Sequence, residues 1–309
     1  AEAYKTEARV FLAMNGIAEL KSAVRKEMVD YANKLEERVR KIVISDTTPE
    51  VKPEAKPEAK PEVKPEAKPE VKPEVKPEAT PENSQNTVVF KDKAFEQVIR
   101  EALGKNDGAI TKEELSKITS LNANGKGIKD ITGISNLTNL ESLELGYLYE
   151  DIGSKSNSIS NIDELKGLTK LKKLNLSNNN ISNIKSLENL TSLTDLDISM
   201  NKIEDISLLR NFKNVVELKV SYNPITNLEA ISGLQNVKVL DLSGLKNVNI
   251  DFLKSYKNIT KLAMTEVELT RNSVETIKSL QTLQLLFVTT DQATFNEMSK
   301  ALPNCFILN

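Results

Sequence analysis

An α/β solenoid is the fold class that this sequence predicts, and three observations predict it. Residues 171–192 lie over residues 193–214 with a period of 22: Leu171, Leu174, Leu176, Asn179, Ile181, Ile184, Leu187 and Leu190 fall on Leu193, Leu196, Ile198, Asn201, Ile203, Ile206, Leu209 and Phe212. Self-similarity at that period marks a stack of coils, each burying its apolar side against its neighbours. Within a coil the apolar spacing changes. Leu174 and Leu176 alternate, which predicts a short strand with both leucines inward. Ile181, Ile184, Leu187 and Leu190 recur every third residue, which suits 3₁₀ turns better than a long α-helix. Finally, the segments before Ile118 and after Val288 leave the pattern, as the ends of a stack must, because an end coil has an apolar face with no neighbour.

By spacing, coils start at Ile118, Leu140, Leu171, Leu193, Val215, Val237, Ile259 and Leu283. The coil from Leu140 is nine residues longer than the 22-residue standard, with the excess between Leu145 and Ile159, and the coil from Ile259 is two longer. The stacked strands are expected to form a parallel sheet on the concave side of a curved arc, with the turns on the convex side. The pattern L-x-x-L-x-L-x-x-N-x-I resembles the leucine-rich repeat, and its 22-residue form is similar to that of the internalins, surface proteins of Gram-positive bacteria. The resemblance covers about 220 residues, from the cap to the end of the chain. It implies non-enzymatic protein recognition at a bacterial surface, or by a secreted protein.

Four segments follow in order. Residues 1–48 are charged and helical in pattern: Val10, Met14, Ile17, Val24, Met28, Tyr31, Leu35 and Ile42 fit a heptad seam, with Lys21 and Arg38 as misfits. Residues 49–87 are built mainly from PEVK and PEAK tetrapeptides, with proline at every fourth position from Pro53 to Pro81. Proline fixes φ, lacks a donor and biases its predecessor away from the α region, so the stretch is expected to be an extended spacer at about 3.1 Å per residue. Residues 88–117 read as two short helices around a turn and are expected to cap the solenoid. Thr111 and Glu114 have the spacing of a capping box. Between the helices, Lys105 to Ile110 looks like half a calcium loop in which Leu103 and Lys105 stand where oxygen ligands are needed, so a degenerate loop kept for its shape is expected. Residues 118–309 carry the repeats and a closing segment resembling the final coil of clostridial leucine-rich repeat proteins.

The composition narrows the function. The formal net charge is −2, so no bulk basic character points to nucleic acid. The chain has no histidine, the commonest general base and metal ligand, and one cysteine, Cys305. No catalytic group, metal or cofactor is expected. Lys126 between Gly125 and Gly127 lacks the context of a phosphate loop. Asn179, Asn201 and Asn223 form a register at the corner after each strand, where an amide side chain can satisfy backbone groups of adjacent coils. That structural ladder is expected to fail at Lys126, Leu148, Leu245, Val267 and Asp291.

What remains is the outward face of the sheet. The residues expected to bind a protein ligand there are Lys173, Asn175, Asp195, Asp197, Glu217, Lys219 and Asp241, together with Tyr147 and Tyr149 of the long coil. The tyrosines are the closely spaced aromatic pair in the repeats, and aromatic anchors commonly dominate binding energy. A competing reading is a pilin-like or membrane-anchored assembly subunit that self-associates through residues 1–48 and displays the repeats. Any membrane or wall anchor is expected upstream of residue 1.

Overall fold

The computed structural model describes residues 86–146 and 155–309. The chain divides into two units, Ala1–Ser84 and Gln85–Asn309, and the described residues belong to the second. The helical seam, the proline spacer, Tyr147 and Tyr149 lie outside them.

The cap comes first. Helix α1 (Lys93–Leu103) opens at Asp92, whose carboxylate accepts from the Ala94 and Phe95 N–H groups, and closes at Gly104, whose φ of 63° few other residues adopt as readily. Phe95, Val98 and Ile99 form its buried stripe. The second oxygen of Asp92 reaches the first coil, accepting from the N–H groups of Lys129 (2.7 Å) and Asp130 (3.3 Å). One carboxylate thus caps the helix and fastens it to the solenoid. Burial alone would raise its pKa, but the donated N–H bonds hold it below the ordinary value.

Helix α2 (Lys112–Leu115) is a single turn, and Thr111 and Glu114 form the capping box that their spacing suggests. In the loop before it, the Lys105 ammonium bonds the Ala109 carbonyl (2.5 Å) and the Glu114 carboxylate (2.8 Å). Lys105 and the Thr111 N–H pull the Glu114 pKa down to about 2. The loop therefore closes around an internal ammonium ion.

Nine strands make one parallel sheet in strict sequence order, β1 to β9. The first eight are β1 (Ser120–Asn122), β2 (Ser142–Glu144), β3 (Lys173–Asn175), β4 (Asp195–Asp197), β5 (Glu217–Lys219), β6 (Val239–Asp241), β7 (Lys261–Met264) and β8 (Leu285–Val288). Each comes from one coil. Leu121, Leu143, Leu174, Leu196, Leu218, Leu240, Leu262 and Leu286 align across the pairs and are all buried. Behind the sheet the second coil-side run forms 3₁₀ turns, from Ile134–Asn136 to Asp251–Ser255.

After the first, each of these turns begins at an acceptor side chain two residues ahead of the N–H it receives. Asn161, Asn183, Asp205, Asn227 and Asn249 accept from Asp163, Lys185, Ser207, Glu229 and Asp251. This second 22-residue column escapes an analysis that follows apolar spacing, because its members are polar and their bonds are local.

The coil from Ile259 differs. Its two extra residues let the turn become helix α3 (Arg271–Ser279), capped by Thr270. The tail then folds as helix α4 (Gln292–Ala301) and a ninth strand, β9 (Phe306–Leu308). β9 pairs alongside β8, so the tail extends the sheet; Phe287 is buried at 2% exposure, whereas Leu285 stays partly exposed.

The ladder is longer than the spacing indicates. Leu148 is not a break, because the nine-residue excess lies before the rung and moves it to Asn157. The Asn157 amide donates to the carbonyls of Ala123 and Leu145, and its oxygen accepts from the Ile128 N–H (2.8 Å). Asn157 stands 22 residues before Asn179, so counting backward from the regular coils reveals a rung that counting forward from Leu140 hides.

Candidate recognition face

The outward residues of the sheet form rows that run across the strands. One row contains Lys173, Asp195, Glu217, Val239, Lys261, Leu285 and Phe306; a second contains Asn175, Asp197, Lys219, Asp241, Ala263, Phe287 and Leu308. Parallel pairing in register places each residue directly beside its row neighbours.

The charged centre is assembled from β4, β5 and β6. The Lys219 ammonium lies 2.8 Å from Glu217 and 4.0 Å from Asp197. Burial pulls its pKa down, but the carboxylates of Asp197 and Glu217, with Asp241 behind them, outweigh that and hold it above the ordinary value. Lys173 opposite Asp195 is exposed and has no carboxylate within 4.0 Å among the described residues.

Several of the residues expected to meet a ligand are partly committed to the fold. Asn175, Asp197 and Asp241 each accept the N–H of the residue two ahead, Ser177, Ser199 and Ser243. The Asn175 amide also donates to Glu144 at 2.8 Å. Asp241 departs most from the outward, solvated position expected of it. It is 8% exposed and also accepts from the Ser221 hydroxyl at 2.9 Å. Burial pushes its pKa up, against the opposing bonds from Ser243 and Ser221, and the nearby Asp197 charge adds to the rise. Lys173 is exposed and Asp195 and Glu217 are partly exposed, whereas the Lys219 side chain, at 13% exposure, is drawn in among its carboxylates.

The shift at Asp241 has a testable consequence. A carboxyl group whose folded pKa lies above its unfolded value of 3.8 contributes stability that is full below 3.8 and lost as pH rises through the folded value. Asp241→Asn retains an acceptor for the Ser243 N–H and removes the buried charge. We expect it to be more stable than the parent at pH 7 and to lose that advantage at about pH 3.5, below the ordinary carboxylate value. Urea titrations of both proteins at the two pH values measure this. A variant less stable than the parent at pH 7 would show that the ionised form is favoured by its surroundings.

The ladder residues lie just behind this face. The Asn179 amide donates to Leu145 and Leu176, that of Asn201 to Leu176 and Ile198, and that of Asn223 to Ile198 and Val220. Their oxygens accept from Ile159, Ile181 and Ile203 of the preceding coils. One residue before each rung the backbone turns left-handed, with φ of 53° at Asn178, 54° at Met200 and 51° at Tyr222. Met200 and Tyr222 hold large side chains in a conformation that usually favours glycine or asparagine, at the edge of the sheet face. Gly244, next in that column, has φ of 70°, and a side chain there would collide with the Tyr222 ring.

Apolar groups also reach the open face at its far end. Phe306 is 45% exposed, and Leu285 and Leu308 beside it are partly buried. Sequence spacing places Leu285 outward but gives no pairing for the tail, so Phe306 and Leu308 appear only once β9 is docked. Among the described residues no group of histidine, cysteine, aspartate and glutamate is arranged to hold a metal ion. The face offers ion pairing, hydrogen bonding and apolar contact.

The architecture is a leucine-rich repeat solenoid. The family described as Leucine Rich repeats (2 copies) matches residues 169–211, the two coils from which the period is read. No curated protein matches the sequence. Among solved structures, internalin C2 from Listeria monocytogenes is 26% identical and covers 71% of this chain and 94% of its own, with a TM-score of 0.59. Internalin InlF from the same organism is 23% identical over 74% of this chain and 79% of its own, with a TM-score of 0.57. The functional domain of Listeria monocytogenes InlJ, which includes a cysteine ladder, gives 21% identity and a TM-score of 0.52 over 71% of this chain and 45% of its own. The present chain is an internalin-like leucine-rich repeat protein whose ladder is made of asparagine.

Proposed function

We propose that the protein is a non-enzymatic recognition module displayed at a bacterial surface or secreted from it, and that it binds a protein ligand through the outward face of its sheet. The observation that carries this reading is the division of labour between the two sides of each strand. Inward positions are uniformly apolar and buried, whereas outward positions in β3 to β5 carry charges that the fold only partly pairs. Extended faces of this kind are the usual binding surfaces of solenoids. The helical cap closes one end of the core. Surface display rests on the internalin likeness and on the proline-rich segment, whose composition suits a stalk.

Asp195→Lys/Asp197→Lys tests the reading against a control on the turn side, Glu188→Lys, which is exposed. The probe is intact bacterial or epithelial cells titrated with labelled full-length protein. The sheet-face pair should reduce retention by at least about tenfold and alter its salt dependence, whereas the control should not. Tyr147→Ala/Tyr149→Ala should mainly speed dissociation, as expected of aromatic anchors. Equal retention of all variants would move the binding surface away from the sheet.

A further inference from the structure

The sheet face changes character along its length, and that change specifies a partner. Toward its middle, Asp195 on β4 stands in register with Glu217 on β5. Like charges directly opposite each other destabilise a sheet, and Asp195 accepts a hydrogen bond from the Thr194 hydroxyl at 2.6 Å. Among the described residues, Asp195, Asp197 and Glu217 face the ammonium groups of Lys173 and Lys219, so carboxylates outnumber ammonium groups at this centre. Toward its end, the same row passes Lys261 on β7 and reaches Leu285 on β8 and Phe306 on β9, an exposed aromatic group. Strands are about 4.8 Å apart. The acidic centre at Glu217 and the apolar pair are therefore about 14–19 Å from each other, which an extended chain spans in four or five residues.

We infer that the sheet face from β4 to β9 receives an extended protein segment, laid across the strands, that carries a basic residue at Asp195 and Glu217 and an apolar residue four or five positions away at Leu285 and Phe306. Charge complementarity selects the basic residue and sets the register. The inference rests on the sheet-face reading above and names the chemistry of its partner.

The test uses the full chain and synthetic peptides of about ten residues with one arginine and one leucine five positions apart, in either order, in a glycine-serine background. Controls replace arginine by glutamate, replace leucine by serine, or move the two residues to adjacent positions. One order should bind at least about tenfold more tightly than each control by fluorescence anisotropy at low salt. Asp195→Asn should weaken the arginine preference and flatten the salt dependence, and Phe306→Ser should remove the leucine preference. Equal binding of the arginine and glutamate peptides, loss of the spacing preference, or no measurable binding by any peptide would overturn the inference. If Asp195→Lys/Asp197→Lys still abolishes retention on cells in that event, the sheet face remains the binding surface and only its partner chemistry is rejected. If retention also survives, both readings fall.

Discussion

Leu196→Ala should lower the unfolding free energy by about 2–5 kcal/mol, the range observed when a buried leucine leaves a cavity that its surroundings fill only in part. Leu196 is 1% exposed and stands in register between Leu174 and Leu218, near the middle of the inward row. Its surroundings have little freedom to collapse. Cross-strand pairing ties the backbone on both sides, and Leu193, Ile198 and Leu209 of the same coil are themselves fully buried. In a solenoid stability is approximately a sum of coil and interface contributions, so a cavity in a central coil weakens two interfaces together. A loss of that size lowers the melting temperature by roughly 2–4 °C per kcal/mol in a domain this large. Urea titration of parent and variant by circular dichroism measures it. A difference below about 0.5 kcal/mol, the range of an ordinary surface change, would mean that this position is not part of a close-packed row.

Asn201→Ala should cost about 1–3 kcal/mol although it removes a small polar side chain. The loss is unequal between the two ends of the amide. The carbonyls of Leu176 and Ile198 that it serves also receive the amides of Asn179 and Asn223, so each keeps one donor. The Ile181 N–H donates to the Asn201 oxygen at 3.0 Å, inside the stack. Removing that acceptor leaves a buried N–H without its partner, which is the costly half of a lost hydrogen bond. Asn180→Ala, at an exposed neighbouring position, supplies the control and should remain within about 0.5 kcal/mol of the parent. If Asn201→Ala matches the control in urea titrations, water reaches the corner and the ladder has no energetic role.

The repeat was legible because a solenoid uses the same local solution many times. Each coil has a two-residue alternation, a corner asparagine and a three-residue apolar recurrence, and every one of those features is set by residues close in the chain. The register of β1 to β8, their inward leucines and the 3₁₀ turns therefore follow from sequence spacing. The Thr111 and Glu114 capping box is legible for the same reason. The amide partners of Asn179, Asn201 and Asn223 lie in neighbouring coils but recur at a fixed period, so the pattern exposes their positions.

Tertiary structure decided what the period does not reach. The rung at Asn157 was displaced by an insertion that hides it from a forward count, and the hydrogen bonds to Ala123, Leu145 and Ile128 show that it serves as one. Asp92 joins the cap to Lys129 across 37 positions, a contact with no periodic signature. Alternation puts Asp241 on the outward side, yet packing buries it, because alternation fixes the direction of a side chain and its neighbours fix its exposure. The apolar end of the face depends on β9, whose three residues carry no repeat and become a strand only beside β8. By itself the sequence determined the coil, its period and its inward core, because those are local and repeated. The folded chain decided which outward groups meet solvent and which meet each other, because charge pairing and burial depend on residues brought together from separate coils.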